Sequence, residues 1–231
     1  MPLSVRGIGA LTAAALLALG MAAAAAPPES KYTVKQLDEA VPGPLAPDVR
    51  GTLTKTAYRV HDPNGKVVCD VWLRADVPML GKFQEQVDLK YALEPGTLVG
   101  AIRFPAATSD YRSQNLKAGV YTLRYAQQPQ DGNHLGTAVY RDFLVLGAAA
   151  EDKKVGEVTQ EQAIKQSKKG SGSTHPAILS LLPPDKELDK LPAVLHDGSL
   201  NLEALAAKTG GKLGDKTKDL PIALVVVGHA D

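Results

Sequence analysis

Hydrophobic and polar residues alternate with a period of two through most of residues 50–146. Successive side chains of a β-strand point to opposite faces of a sheet, so this period is typical of strands with one buried face. The alternation is clearest at 82–93, where one face is mostly apolar and the other is polar. The same pattern predicts strands at 53–59, 67–74 and 98–104.

Turn signals separate the predicted strands. Residues 61–65, His-Asp-Pro-Asn-Gly, predict a hairpin, because proline fixes φ and Asn-Gly accepts a positive φ. Farther along, Leu116, Gly119 and Tyr121 have the spacing of a tyrosine corner, in which the phenol hydrogen-bonds to the backbone just upstream. That motif favours a Greek-key sandwich.

The segment 27–146 therefore predicts a β-sandwich core. A weaker strand at 32–37, a strand from the tyrosine corner to residue 126 and a return strand at 137–146 bring the count to about seven, as in an immunoglobulin-like sandwich. The predicted fold class is all-β, with an antiparallel Greek-key (immunoglobulin-like) arrangement.

Composition changes after residue 146, and 147–231 predict a β-rich C-terminal extension with one short helix. Thr-Gln-Glu-Gln at 159–162 is a capping-box pattern that begins the helix, and Gly170 is placed to end it. The glycine- and serine-rich stretch 168–174 predicts a flexible linker between the helix and the strands that follow.

The last part of the extension predicts strands that pack on the sandwich. Residues 175–182 are one candidate, and Leu-His-Asp-Gly-Ser-Leu at 195–200 gives a second hairpin signal. Residues 222–227 are apolar on both faces, and a strand of that kind needs cover on both sides.

The first 26 residues have the composition of a Sec-type signal peptide. Arg6 supplies a basic start, an uncharged apolar stretch follows, and the alanines at 23–26 provide the small residues that signal peptidase requires. No cysteine lies near the cut, which argues against a lipoprotein. An uncleaved membrane anchor is the alternative, although alanine drives insertion weakly. The mature protein is expected to be periplasmic or secreted, without stable membrane insertion.

The charge balance argues against nucleic acid as a partner. The chain has 26 Lys and Arg against 25 Asp and Glu, and removal of residues 1–26 takes away Arg6 and no acidic residue. The mature protein then has 25 of each and is formally neutral. A neutral domain lacks the basic surface that binds nucleic acid or an anionic membrane.

Cys69 is the chain's single cysteine, so it cannot form an intramolecular disulfide. It shares a face of the predicted strand 67–74 with Val71 and Leu73. This placement predicts a buried core side chain rather than a reactive thiol.

Histidines are the residues that could hold a metal ion. The sequence contains no His-Glu-x-x-His, Cys-x-x-Cys or Gly-x-Ser-x-Gly motif. His134 lies in the polar loop 127–136 at one end of the predicted sandwich, and His175 and His229 could converge on that end. Imidazole suits copper or zinc, so His134, His175 and His229 form a hypothetical metal site. Turn-capping or solvated histidines are the alternative interpretation.

The loop 127–136 is also the candidate ligand-binding element, because binding residues often lie on loops at the end of a rigid scaffold. Its polar candidates are Asp131, Asn133 and His134. Together with Arg141 and Asp142 on the next strand, Asp131 and His134 could form the acid–base group of a hydrolase. Turn caps and exposed cross-strand pairs are the alternative interpretation.

Four short stretches, at 119–125, 128–134, 140–143 and 225–230, resemble an uncharacterised group of exported bacterial β-sandwich proteins with no assigned activity. They read Gly-Val-Tyr-Thr-Leu-Arg-Tyr, Gln-Pro-Gln-Asp-Gly-Asn-His, Tyr-Arg-Asp-Phe and Val-Val-Val-Gly-His-Ala. The resemblance implies an exported β-sandwich, and it assigns no catalytic residue.

The sequence therefore favours an exported, non-enzymatic β-sandwich protein without a cofactor. Such a protein would bind a partner protein or a small-molecule ligand through the end that carries the 127–136 loop. The alternative function is a periplasmic copper or zinc binding protein that uses the three histidines.

Overall fold

The computed structural model describes residues 30–132, 134, 138–156, 158–184 and 188–230. The predicted signal peptide, residues 1–26, and the candidate ligand residue Asn133 lie outside the described residues. Within the described part of the chain, no helix has the length and apolar character needed to cross a membrane.

Strands dominate the described residues, which confirms the predicted all-β class. In chain order the strands are β1 (Thr33–Asp38), β2 (Leu53–His61), β3 (Val67–Arg74), β4 (Asp76–Pro78), β5 (Leu98–Phe104), β6 (Thr108–Ser109), β7 (Asn115–Leu116), β8 (Gly119–Gln127), β9 (Asp142–Ala148), β10 (Ile178–Leu182), β11 (Ala193–Asp197), β12 (Leu202–Leu213) and β13 (Lys216–Val227). The helices are α1 (Pro47–Thr52) and α2 (Gln160–Ser171), and a 3-10 helix spans Leu188–Lys190.

Most of these strands belong to one curled sheet, whose order is β1-β2-β3-β5-β8-β9-β10-β13-β12-β11. All neighbours along this path are antiparallel, and β4 adds to β12 as a parallel strand. Strand β10 pairs with β9 on one side and with β13 on the other. The C-terminal strands therefore continue the sheet that the N-terminal strands begin.

The curl brings the two halves of the sheet face to face across the core. Tyr58 of β2 donates its hydroxyl hydrogen to the Lys208 carbonyl of β12, at 3.3 Å. Thr209 of β12 donates to the Arg74 carbonyl of β3, at 2.6 Å. Buried apolar side chains from both halves fill the space between them, among them Val60, Val71, Leu123, Leu144, Leu205, Ile222 and Leu224.

Two turn predictions are confirmed at the level of single hydrogen bonds. The carboxylate of Asp62 accepts from the backbone N–H of Asn64 and from that of Lys66, both at 2.9 Å, and so closes the hairpin between β2 and β3. Tyr121 donates its hydroxyl hydrogen to the Lys117 carbonyl at 2.8 Å, which is the predicted tyrosine-corner contact.

The strand predicted at 82–93 is wrong. Its backbone forms hydrogen bonds with the residues at the start of β9. Lys90 N–H and Tyr91 N–H donate to the Asp142 carboxylate at 2.6 and 3.3 Å. Arg141 N–H donates to the Asp88 carbonyl at 2.7 Å. These contacts hold the segment as an irregular connection, and Val87, which was expected on the buried face, is 89% exposed.

Two predicted boundaries are also wrong. Strand β9 begins at Asp142 instead of residue 137. Helix α2 continues through Gly170, because the residue that ends it is Gly172, whose φ of 69° lies in the left-handed region. The capping box that begins α2 is confirmed, but residues 168–171 are helical rather than part of a linker.

Cys69 is a fully buried core residue, as predicted. Burial raises the pKa of its thiol, because the charged thiolate is poorly solvated there. The side chain therefore packs as a small apolar group.

Candidate functional site

A cavity of about 690 Å³ lies between α2 and the ends of β8, β9 and β10. Its volume is in the range of small-molecule binding sites, which is roughly 300–1,000 Å³. The loop that follows β8 and the connection between β6 and β7 form its other walls. It therefore opens at the end of the sheet where the sequence predicted a binding loop.

The floor of the cavity is apolar because of strand register. Ala126 of β8 pairs with Phe143 of β9, and Val145 of β9 pairs with Ile178 of β10. Side chains of directly paired residues lie on the same face of a sheet, and so do residues two apart on one strand. All four side chains line the cavity on the outer face of the sheet.

Helix α2 forms a wall that is attached at both ends. At its first residue, Gln160 accepts from the backbone N–H of Gln127 at 2.8 Å and donates to the carbonyl of the same residue at 2.9 Å. Near its last turn, the buried hydroxyl of Ser167 accepts from Ala177 N–H at 2.9 Å. The helix is thus fixed to β8 and to the segment that enters β10.

The opposite wall is held by one buried carboxylate. Asp110 is fully buried, and its oxygens accept from the backbone N–H groups of Arg112, Gln114 and Ile178 at 2.9, 2.8 and 3.1 Å. Tyr111 N–H donates to the Ile178 carbonyl at 2.9 Å. The backbone of Arg112 is therefore fixed at the mouth of the cavity, although its side chain is exposed.

The third wall carries two of the predicted site residues. His134 Nδ1 lies 2.6 Å from a carboxylate oxygen of Asp131, and His134 N–H donates to the Asp131 carbonyl at 3.1 Å. Gln128 Nε2 donates to the His134 carbonyl at 3.0 Å. These bonds orient the His134 imidazole, which lines the cavity.

The structure brings two of the three candidate metal ligands to the same cavity. His134 and His175 both line it, whereas His229 is exposed and its neighbour Ala230 is the residue in the lining. A zinc or copper site takes three or more protein ligands as a rule. Among the described residues, no three His, Cys, Asp or Glu side chains are grouped so that they could hold a metal ion.

Asp142 does not join the acid–base group that the sequence allowed. Its carboxylate is fully buried and accepts from the Tyr125 hydroxyl at 2.6 Å, in addition to its two bonds to the 82–93 segment. Desolvation raises the pKa of Asp142, and the hydrogen bonds from Tyr125, Lys90 and Tyr91 oppose that rise. This carboxylate is a structural acceptor, which leaves Asp131 and His134 as a pair.

The mouth of the cavity is rich in basic side chains. Arg112, Lys168, His134 and His175 all contribute to the lining, and the described lining residues include no Asp or Glu. Arg112 Nη1 lies 3.4 Å from His175 Nδ1.

Sequence reasoning missed Arg112 and Lys168. Lys168 was assigned to a linker, yet Gln160, Ile164 and Lys168 recur at intervals of four and all line the cavity. That spacing places them on one face of a helix, and it was a usable signal. Arg112 had no such signal, because its position depends on a contact between Asp110 and the distant strand β10.

No protein-family model matches this chain, no curated protein matches it, and no solved structure matches it.

Proposed function

We propose that this protein is an exported, non-enzymatic binder of a small ligand, which it takes up in the cavity between α2 and the loop after β8. The observation that carries the proposal is a cavity of about 690 Å³ with an apolar floor, polar groups at its mouth and walls attached by hydrogen bonds. Pockets of this size that combine apolar surface with a few placed polar groups are typical ligand sites.

Export is the part of the proposal supported by sequence alone. The basic start, apolar stretch and alanines of residues 1–26 favour a periplasmic or secreted protein. For the fold, an immunoglobulin-like Greek-key sandwich stays a proposal, and the bond from Tyr121 to Lys117 supports it.

Filling the cavity is expected to abolish binding without unfolding the protein. Ile164 is partly buried on the cavity face of α2, so Ile164→Trp places an indole in the space that a ligand would occupy. The probe is Nile red, a neutral dye that fluoresces strongly in apolar surroundings. We expect the fluorescence with the wild type to fall at least tenfold with Ile164→Trp.

The matched control for this substitution is Lys169→Trp. Lys169 lies on the solvent side of the same helix, with a side chain that is 71% exposed. It adds the same indole outside the cavity, so its dye fluorescence should equal that of the wild type. Equal fluorescence for the two tryptophan variants would contradict the proposal.

A second candidate function is binding of copper or zinc by His134, His175 and His229. It is favoured by the placement of His134 and His175 in one cavity. If it is correct, protein purified from its native compartment contains stoichiometric metal by elemental analysis, and His134→Ala loses it. The imidazole of His134 is 37% exposed, so circular dichroism of this variant should match the wild type. Metal-free protein would remove this candidate.

A further inference from the structure

The turn between β2 and β3 carries the chain's only Asn-Gly pair, at Asn64 and Gly65. We propose that Asn64 is a site of spontaneous deamidation and that the hydrogen bonds of Asp62 set the rate of this reaction. The inference concerns a covalent modification of the chain, so it does not depend on the cavity or on its ligand.

The reaction proceeds through a cyclic imide. The backbone nitrogen of Gly65 attacks Cγ of the Asn64 side chain, so that a C–N bond forms, and its proton passes through solvent to the departing ammonia. Water then opens the resulting succinimide ring at either of its carbonyl carbons. One product is aspartate, and the other is isoaspartate, in which the main chain runs through the side-chain carbons. Water is consumed, ammonia is released, and nothing is oxidised or reduced.

The fold leaves both reacting groups accessible. Asn64 and Gly65 are exposed, and Gly65 has a φ of 80°, in the left-handed region that favours glycine. Apart from the chain neighbours of Gly65, no atom of the described residues lies within 4 Å of the position that a Cβ atom would take there. Packing against other elements therefore does not prevent closure of the ring.

Hydrogen bonds within the turn restrain the attacking nitrogen. Gly65 N–H donates to the Asp62 carbonyl at 2.9 Å. The Asp62 carboxylate accepts from Asn64 N–H and from Lys66 N–H, both at 2.9 Å. The turn must open before the Gly65 nitrogen can attack, and the opening of an exposed turn costs little free energy. We therefore expect deamidation in the folded protein, at a rate that depends on Asp62.

Two other asparagines provide internal controls. Asn115 and Asn201 are each followed by a leucine, and both leucines are buried. A side chain on the following residue crowds the attacking nitrogen, whereas glycine has none. The folded protein is incubated in mildly alkaline buffer, digested and analysed by peptide mass spectrometry. We expect deamidation at Asn64 to be about tenfold faster than at Asn115 or Asn201.

Variants at Asp62 test the control of the rate. Asp62→Ala removes the acceptor for Asn64 N–H and Lys66 N–H, so deamidation at Asn64 should become about fivefold faster. Asp62→Asn keeps a side-chain oxygen that can accept from both groups, so its rate should stay within about twofold of the wild type. Asp197→Ala removes the same kind of acceptor from the turn that follows β11 and should leave the rate unchanged.

Isoaspartate at position 64 is also expected to make Cys69 reactive. Cys69 is fully buried and pairs with Val60 close to the turn. Isoaspartate lengthens the main chain by one carbon atom and displaces the N–H groups that bind Asp62, so this end of the hairpin loosens. The Cys69 thiol should then react about fivefold faster with dithiobis(nitrobenzoate) than in the unmodified protein. Asn64→Asp adds the same charge without lengthening the chain, so it should leave the thiol rate unchanged.

Each part of the inference has its own contrary result. Absence of deamidation at Asn64, or equal rates at the three asparagines, would overturn the assignment of the site. A wild-type rate in Asp62→Ala would overturn the role of Asp62. Equal thiol rates for the isoaspartate form and Asn64→Asp would overturn the connection between the turn and Cys69.

Discussion

Replacing Asp152 by alanine is expected to lower the free energy of unfolding by about 3–5 kcal/mol. Asp152 and Arg124 form a fully buried ion pair, with Arg124 Nε and Nη2 donating to the two carboxylate oxygens at 2.6 and 2.8 Å. The alanine variant would leave a buried guanidinium without its counter-charge, and that is the situation in which removal of one partner is most destabilising.

The other hydrogen bonds of Arg124 and Asp152 explain why we do not expect rearrangement of the side chains to restore the stability of Asp152→Ala. Arg124 Nη1 donates to the Gly96 carbonyl at 2.7 Å, and Nη2 also donates to the Lys154 carbonyl. Thr122 donates its hydroxyl hydrogen to the Asp152 carboxylate at 2.6 Å. Each group of the pair is therefore surrounded by hydrogen-bond partners and is at most 1% exposed.

The neighbouring residue supplies a matched control. Glu151 also accepts from a basic side chain, Lys169, at 2.7 Å, but both groups of this pair are exposed. Exposed pairs contribute little, so Glu151→Ala should leave the urea midpoint almost unchanged. If Asp152→Ala fails to fold, Asp152→Asn and the double variant Arg124→Met/Asp152→Ala provide the measurement. An Asp152→Ala midpoint equal to that of Glu151→Ala would show that the buried pair does not stabilise the fold.

This ion pair also bears on the cavity. Thr122, Arg124 and Ala126 are spaced two apart on β8, so all three face outward on the same side of the sheet. The pair attaches the connection between β9 and α2 to this face, next to the cavity floor. We therefore expect ligand binding to fall together with stability in Asp152→Ala.

Local features of this chain were predictable because their partners are close in sequence. The Asp62 turn, the Tyr121 corner and the capping box of α2 each join residues no more than four positions apart. Such bonds depend on side-chain chemistry and spacing, both of which the sequence displays.

The segment 82–93 is an example of a structure that local spacing alone does not predict. Its period of two correctly places Leu89, Tyr91 and Leu93 in the core. Burial of alternate side chains does not by itself create a ladder, because the backbone also needs a partner strand. Here the Asp142 carboxylate accepts from the backbone N–H groups of Lys90 and Tyr91, and the position of Asp142 depends on the tertiary fold.

The candidate site also contains residues that the sequence predicts and residues that it does not. The sequence located the loop after β8 and His134, because a polar loop between regular strands is visible in composition. It could not locate Arg112, whose approach to the cavity requires β10 to lie beside the turn at Asp110.

Replacing Asp110 by alanine is therefore expected to lower both the free energy of unfolding and ligand binding in the cavity. The substitution leaves the N–H groups of Arg112, Gln114 and Ile178 without their acceptor, and loss of such charge-assisted bonds lowers the free energy of unfolding by about 2–4 kcal/mol. The turn would keep the backbone bond from Tyr111 N–H to the Ile178 carbonyl, but it would lose the bond from Ile178 N–H to Asp110, so Arg112 would be held less firmly at the mouth of the cavity. Nile red fluorescence should fall below that of the wild type.

The hairpin residue Asp62 provides the comparison for Asp110. It closes a turn with the same chemistry, accepting from the backbone N–H groups of Asn64 and Lys66, but in an exposed position. Water can replace its carboxylate there, so Asp62→Ala should have a smaller effect on the urea midpoint and none on Nile red fluorescence. Wild-type Nile red fluorescence in a folded Asp110→Ala variant would show that this wall of the cavity does not depend on the Asp110 carboxylate. Such a result would separate the wall of the cavity from the binding of its ligand.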